Sequence, residues 1–90
     1  MHHVDAEKNA MRARLRSLLL EKSVRFGRFT LASGKESDLY VDVRQTALHA
    51  EGSYLIAELV RQALRPEVAG VGGMTLGADP IACATATRSY

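Results

Sequence analysis

The chain has a single cysteine, Cys83, among 90 residues, so no disulfide can form within it. Cys83 sits in the small apolar run Ile81-Ala82-Cys83-Ala84, where a buried thiol used as a small hydrophobe is expected. No base lies near it in sequence to turn it into a nucleophile. No apolar run approaches the roughly 20 residues of a membrane span. The start, Met1-His2-His3-Val4-Asp5, lacks the apolar core of a signal peptide, so the cytoplasm is the expected compartment. His2, His3 and His49 have no metal-ligand spacing with cysteine or acid partners, and no metal site is expected on them. Internal repeats and low-complexity stretches are absent, as is any pair of adjacent acidic residues. What remains is an ordinary globular composition, 47% hydrophobic, which argues against a disordered chain. Ninety residues make one small domain with a modest core.

Net charge is +2, and the surplus lies at the front. Residues 1–30 carry Lys8, Arg12, Arg14, Arg16, Lys22, Arg25 and Arg28 against Asp5, Glu7 and Glu21. The bland reading is a solvated helix face. The sharper one is a small basic binding module that meets nucleic acid or an acidic partner through the helix Asp5–Lys22.

Asp5 is expected to cap that helix. Its apolar positions Met11, Leu15, Leu18 and Leu19 fall on one stripe at i, i+4, i+7 and i+8. From Ser23 the period changes. Arg28–Leu31 and Leu39–Arg44 read as two strands around the turn cluster Ser33–Asp38. Leu39, Val41 and Val43 alternate with Tyr40, Asp42 and Arg44, which predicts a strand with one buried face. Asp42 and Arg44 then form an exposed pair. A second helix is expected from about Glu51 to Leu64, with Leu55, Ile56, Leu59, Val60, Ala63 and Leu64 on its apolar face and Pro66 as its stop. Val68–Gly72 reads as a short buried strand. After a glycine loop, Asp79 is expected to cap a third helix with Pro80 at its first position, running to about Thr87. The order is helix, two strands, helix, strand, glycine loop, helix. Its last three elements are the first β–loop–α unit of a parallel α/β sheet.

Two segments carry chemistry. A strand, then glycines, then a helix N-terminus can hold an anion, because amide N–H groups and the helix dipole both favour negative charge. Gly70–Thr75 matches neither a dinucleotide fingerprint nor a P-loop, since the third glycine and any Gly-Lys-Ser/Thr are missing. A merely tight turn stays open. The second segment, Phe29–Ser37, places serines and Lys35 around Gly34, either as donors to an anion or as an ordinary polar hairpin loop.

Together the two segments resemble a known family. Phe29-Thr-Leu-Ala-Ser-Gly-Lys-Glu-Ser-Asp-Leu-Tyr-Val-Asp-Val-Arg44 is similar to the N-terminal signature of orotate phosphoribosyltransferases. Gly72-Gly-Met-Thr-Leu-Gly-Ala-Asp-Pro-Ile-Ala82 is similar to their pyrophosphate loop. The order and separation match, and the resemblance covers about Leu15 to Ala86. It implies a type I phosphoribosyltransferase that joins orotate to phosphoribosyl pyrophosphate with Mg²⁺ in pyrimidine synthesis, giving orotidine 5′-monophosphate and pyrophosphate. It also implies a homodimer, and makes nucleic acid an unexpected partner. By the same resemblance Thr30, Ser33, Gly34, Lys35, Ser37, Tyr40 and Val41 lie on the orotate and ribose side. Gly73, Met74, Thr75, Leu76, Gly77, Ala78 and Asp79 wrap the pyrophosphate.

The chain departs from the pattern in places. Many members have lysine where this chain has Ala32, and others have one at Gly77. The family's acidic pair with its Thr/Gly loop, and its mobile catalytic loop, have no counterpart in these 90 residues. The expectation is therefore a truncated N-terminal portion in one domain, residues 1–48 with the helix and substrate ribbon and residues 49–90 starting the α/β core. It holds no catalytic or metal-ligating residue of its own and is inactive alone.

Overall fold

The computed structural model describes residues 2–90, with side chains from Asp5 onward. The expectations resting on Met1 and on the His2 and His3 side chains lie outside the described residues. Helix α1 spans His2–Lys22. It starts three residues before Asp5, so Asp5 is not its cap. Asp5 sits in the first turn, where a carboxylate still opposes the positive end of the dipole. Leu18 is the buried centre of the expected stripe, and Met11, Leu15 and Leu19 are half-buried beside it.

Strand β1 (Val24–Thr30) and strand β2 (Glu36–Val41) form an antiparallel ribbon. The register pairs Val24 with Val41, Phe26 with Leu39 and Thr30 with Glu36. Between Phe26 and Phe29 it shifts, so Gly27 and Arg28 face the single residue Asp38, and the ribbon bends there. The tip turns at Gly34, whose φ of 84° suits glycine. The predicted buried face of β2 is not found. Leu39, Val41 and Tyr40 are all exposed. Two strands alone make a ribbon, not a sandwich, and no further layer covers it among the described residues.

Ser23 joins α1 to this ribbon. Its amide donates to Leu19, its carbonyl accepts from Asp42, and its buried hydroxyl lies 2.5 Å from that of Thr46. Thr46 belongs to a short helix, α2 (Arg44–Ala47), too brief to leave a periodic signal. Helix α3 (Ala50–Ala63) follows, capped by His49, whose Nδ1 accepts from the Gly52 amide at 3.3 Å. Leu55 and Ala57 are buried, while Leu59, Ile56 and Val60 are half-buried. Ala63 is exposed at the helix end, which takes it off the expected apolar face.

Helix α4 (Asp79–Ser89) packs on α3. Asp79 is its first residue and Ala78 its cap, so the expected Asp79 cap does not form, and Pro80, expected at the first position, is the second residue. The carboxylate of Glu58 ties the pair together. It accepts from Arg61 and Gln62 on its own helix and from Arg88 Nε at 2.9 Å across the interface. Arg88 also lies 5.1 Å from the Tyr54 ring centroid. On α4 the buried residue is Thr85. Cys83 is two positions away, roughly 200° around the helix. It is therefore exposed, against the expectation of a buried thiol.

Val68–Gly72 does not form a strand. A lone parallel strand leaves its backbone groups unpaired, and no neighbouring strand lies beside it among the described residues. The helices, the antiparallel element and the loop-to-helix step of the expected α/β architecture are present; the ladder that would make Val68–Gly72 a strand is not.

Candidate substrate site

The ribbon presents one polar, aromatic side. Phe29 and Tyr40 meet there with ring centroids 5.5 Å apart. Arg25, Thr30, Asp42 and Gln45 complete a cleft of about 250 Å³ around them. Alternation explains the grouping. Arg25 pairs with Tyr40 across the ribbon, and Asp42 follows Tyr40 by two, on the same side.

Of the residues expected on the orotate side, Thr30 and Tyr40 line this cleft. Val41 does not line it, since consecutive strand residues face opposite sides. Ser33, Gly34 and Lys35 form the exposed hairpin tip, closed by hydrogen bonds from the Leu31 N–H to the Lys35 carbonyl and from the Gly34 N–H to the Leu31 carbonyl, both 2.8 Å. The Ser37 hydroxyl donates to the Leu39 carbonyl and accepts from the Leu39 amide, so it is engaged locally.

The glycine loop is the second part. Its last turn closes through Ala78 N–H to Thr75 at 2.9 Å and Asp79 N–H to Leu76 at 3.3 Å. No acceptor for the N–H groups of Gly73 through Gly77 is found among the described residues, and α4 starts without a side-chain cap. The loop therefore offers a row of amide donors beside the positive end of a helix. The two glycines here differ. A Cβ at Gly73 would stand 2.3 Å from the Ala78 Cβ, so the loop closes only around glycine. A Cβ at Gly77 would meet the Arg44 Cγ and Cδ at 3.7 Å, an ordinary contact.

Arg44 lies between the two parts. Its Nε and Nη2 donate to the two Asp42 oxygens at 2.9 and 3.2 Å. Its amide donates to Asp42 Oδ1 as well, at 3.3 Å. The Arg44 side chain, with Gln45 assisting, holds the Asp42 carboxyl below the usual carboxylate range, and Asp42 in turn raises Arg44. The exposed Asp42–Arg44 pair expected from the sequence is thus present, though Arg44 opens α2 and does not continue the strand. Sequence reading missed Arg25, Asp42 and Gln45 as cleft residues. For Arg25 and Asp42 the signal was the alternation that marked Tyr40; Gln45 lies on α2, where that alternation gives none.

A basic front helix was the competing feature. Arg14 is not free on it, because its guanidinium makes a two-point pair with Glu51 of α3 at 2.7 and 2.8 Å. No described helix is long and apolar enough to cross a membrane.

No protein-family model matches the chain. Curated relatives do. It is 50% identical over 74 residues to the orotate phosphoribosyltransferase of Corynebacterium glutamicum strain R, covering 81% of this chain and 40% of the relative. It is 45% identical over 84 residues to that of Rhodopseudomonas palustris, covering 92% of this chain and 45% of the relative. Among solved structures, Mycobacterium tuberculosis orotate phosphoribosyltransferase in complex with inorganic phosphate is similar with a TM-score of 0.73 and 47% identity, over 83% of this chain and 45% of that one. A phosphoribosyltransferase from Corynebacterium diphtheriae is similar with a TM-score of 0.71 and 42% identity. The chain thus spans less than half the length of these relatives. In sequence and in fold it matches the N-terminal portion of the orotate phosphoribosyltransferases.

Proposed function

We propose that this chain supplies the substrate-holding part of an orotate phosphoribosyltransferase. Orotate and the ribose sit against the ribbon cleft with Thr30 and Tyr40, and the pyrophosphate of phosphoribosyl pyrophosphate lies on the Gly73–Asp79 amides. In that reaction the orotate ring nitrogen gives up its proton to solvent and bonds to the ribose C1, and the bond from C1 to the pyrophosphate oxygen breaks. The leaving group departs as an anion, which a row of fixed N–H donors stabilises. One observation carries the reading. The two segments that resemble the family are the ones the fold turns into an aromatic cleft and an open amide loop, with Arg44 bonded to a cleft residue and its stem beside the loop.

Mg²⁺ enters with the substrate in this reading. It takes oxygen ligands and keeps several waters, so phosphates can supply much of its shell. No group of three or more His, Cys, Asp or Glu suited to a metal lies among the described residues. A homodimer in the cytoplasm, serving pyrimidine synthesis, completes the proposal. It extends what the names of the relatives support.

Calorimetric titration of the 90-residue chain with inorganic pyrophosphate and with orotate tests it. The expected result is binding of both, with no turnover of orotate and phosphoribosyl pyrophosphate by these residues alone. Failure of both ligands to bind overturns the reading.

A further inference from the structure

We infer that Arg44 is a binding residue of this site, the cation that meets the pyrophosphate end of the substrate at the mouth of the glycine loop. The inference rests on the proposed function above and assigns a side chain to a subsite otherwise made of backbone.

Three features of Arg44 lead there. Its stem crosses the loop. The Cγ and Cδ methylenes pass where a side chain at Gly77 would begin, 3.7 Å from that position. Gly77 has no positive φ and would meet only ordinary contacts as alanine, so the backbone does not demand glycine there. A methyl there would rest against the arginine stem without displacing it, so the contact marks how near Arg44 runs to the loop. Second, the guanidinium is held in place. Asp42 takes the Nε hydrogen and one on Nη2, which fixes the plane of the fork. Third, donors are left over. Asp42 uses one edge of the guanidinium, and the Nη1 hydrogens and the second on Nη2 have no partner among the described residues. The side chain is 61% exposed, so an anion can reach them.

Position then decides the ligand. The clamp residue Asp42 lines the aromatic cleft, and the stem lies on the glycine loop. A planar fork with free N–H groups, on a stem that runs beside the glycine loop, suits a phosphate oxygen pair better than a point charge does. Orotate also carries a carboxylate, but it would lie in the cleft, which Arg44 does not line. Arg44 therefore distinguishes the phosphate-bearing substrate from orotate.

Titration of the chain with inorganic pyrophosphate, and separately with orotate, tests this in Arg44→Met, Arg44→Lys and Asp42→Asn. Arg12→Met on the exposed face of α1 matches the change in charge away from the site. Circular dichroism checks that each variant keeps its helices. Arg44→Met should weaken pyrophosphate about tenfold or more, the loss expected for a charge-assisted contact, and leave orotate unchanged. Arg44→Lys keeps the charge without the fork and should fall between. Asp42→Asn should weaken pyrophosphate by freeing the fork, and Arg12→Met should do nothing. Equal pyrophosphate affinity in wild type and Arg44→Met overturns the assignment and leaves the site standing. Should Arg44→Met unfold, full affinity in Arg44→Lys and Asp42→Asn overturns it equally. A wild type that binds neither ligand overturns the site, and Arg44 with it.

Discussion

Gly52 of α3 runs against Thr46 of α2, so close that a Cβ on Gly52 would stand 2.2 Å from the Thr46 carbonyl oxygen. The obstacle is backbone, which cannot rotate aside. Gly52→Ala should therefore cost about 2 kcal/mol or more by overpacking, read as a lower midpoint in urea or thermal unfolding. Because Thr46 also holds Ser23, the variant should loosen the start of the ribbon as well, seen as faster amide exchange at Asp42.

Two buried threonines predict opposite signs. The Thr85 hydroxyl is buried with no hydrogen-bond partner among the described residues. Thr85→Val keeps the shape and removes the polar atom, and should stabilise by about 1 kcal/mol. Thr46→Val removes one half of a 2.5 Å pair and strands the Ser23 hydroxyl, so it should destabilise by about 1–3 kcal/mol. Parallel denaturation curves compare the two directly, and a destabilised Thr85→Val would show that the hydroxyl is satisfied by water.

Gly73→Ala places a methyl into the Ala78 methyl and should open the loop. Pyrophosphate affinity should drop, while orotate affinity holds. Adding Ala78→Gly removes the collision and should restore binding. Titration of the single and double variants checks this; a double variant that stays weak would mean Gly73 matters for something other than space.

Glu58 sets an acid limit. Arg61 first, then Gln62 and Arg88, donate to its carboxylate and hold it down to about 2, from an ordinary 4.5. A depressed folded value means the carboxylate stabilises the fold above pH 4.5, and that contribution drains away as pH falls from 4.5 toward 2. Glu58→Gln should lower stability at neutral pH and flatten the acid limb across that window. Unfolding midpoints measured from pH 7 to pH 2 show it, and parallel limbs would contradict it.

The helices were legible because their apolar spacing repeats over several turns. Leu15, Leu18, Leu55 and Leu59 announce α1 and α3, and Pro80 marks the start of α4. Helix α2 was not legible, since four residues hold little more than one turn of pattern. The caps misled for a local reason. Asp5 and Asp79 are good capping residues, yet both sit inside the first turn, where the dipole alone accounts for them. Burial was harder than secondary structure. Whether Cys83, Leu39 or Val68 is covered depends on what packs against it, and alternation reveals a face without naming its partner. The site split the same way. Local sequence marked both loops, but the meeting of Arg44 with Gly77 spans 33 positions and arises only once α2 turns the chain.

A chain without tryptophan is usually awkward to follow by light. Here the Arg88 guanidinium lies over the Tyr54 ring, one of only three tyrosines. Tyr40 is a second, set against Phe29 in the cleft. Tyrosine emission therefore divides into separate native signals, one sensing whether α4 is seated on α3 and another sensing whether the cleft is occupied. Replacing Tyr90 together with either ring by phenylalanine isolates the other, so docking and binding can be watched independently without attaching a dye.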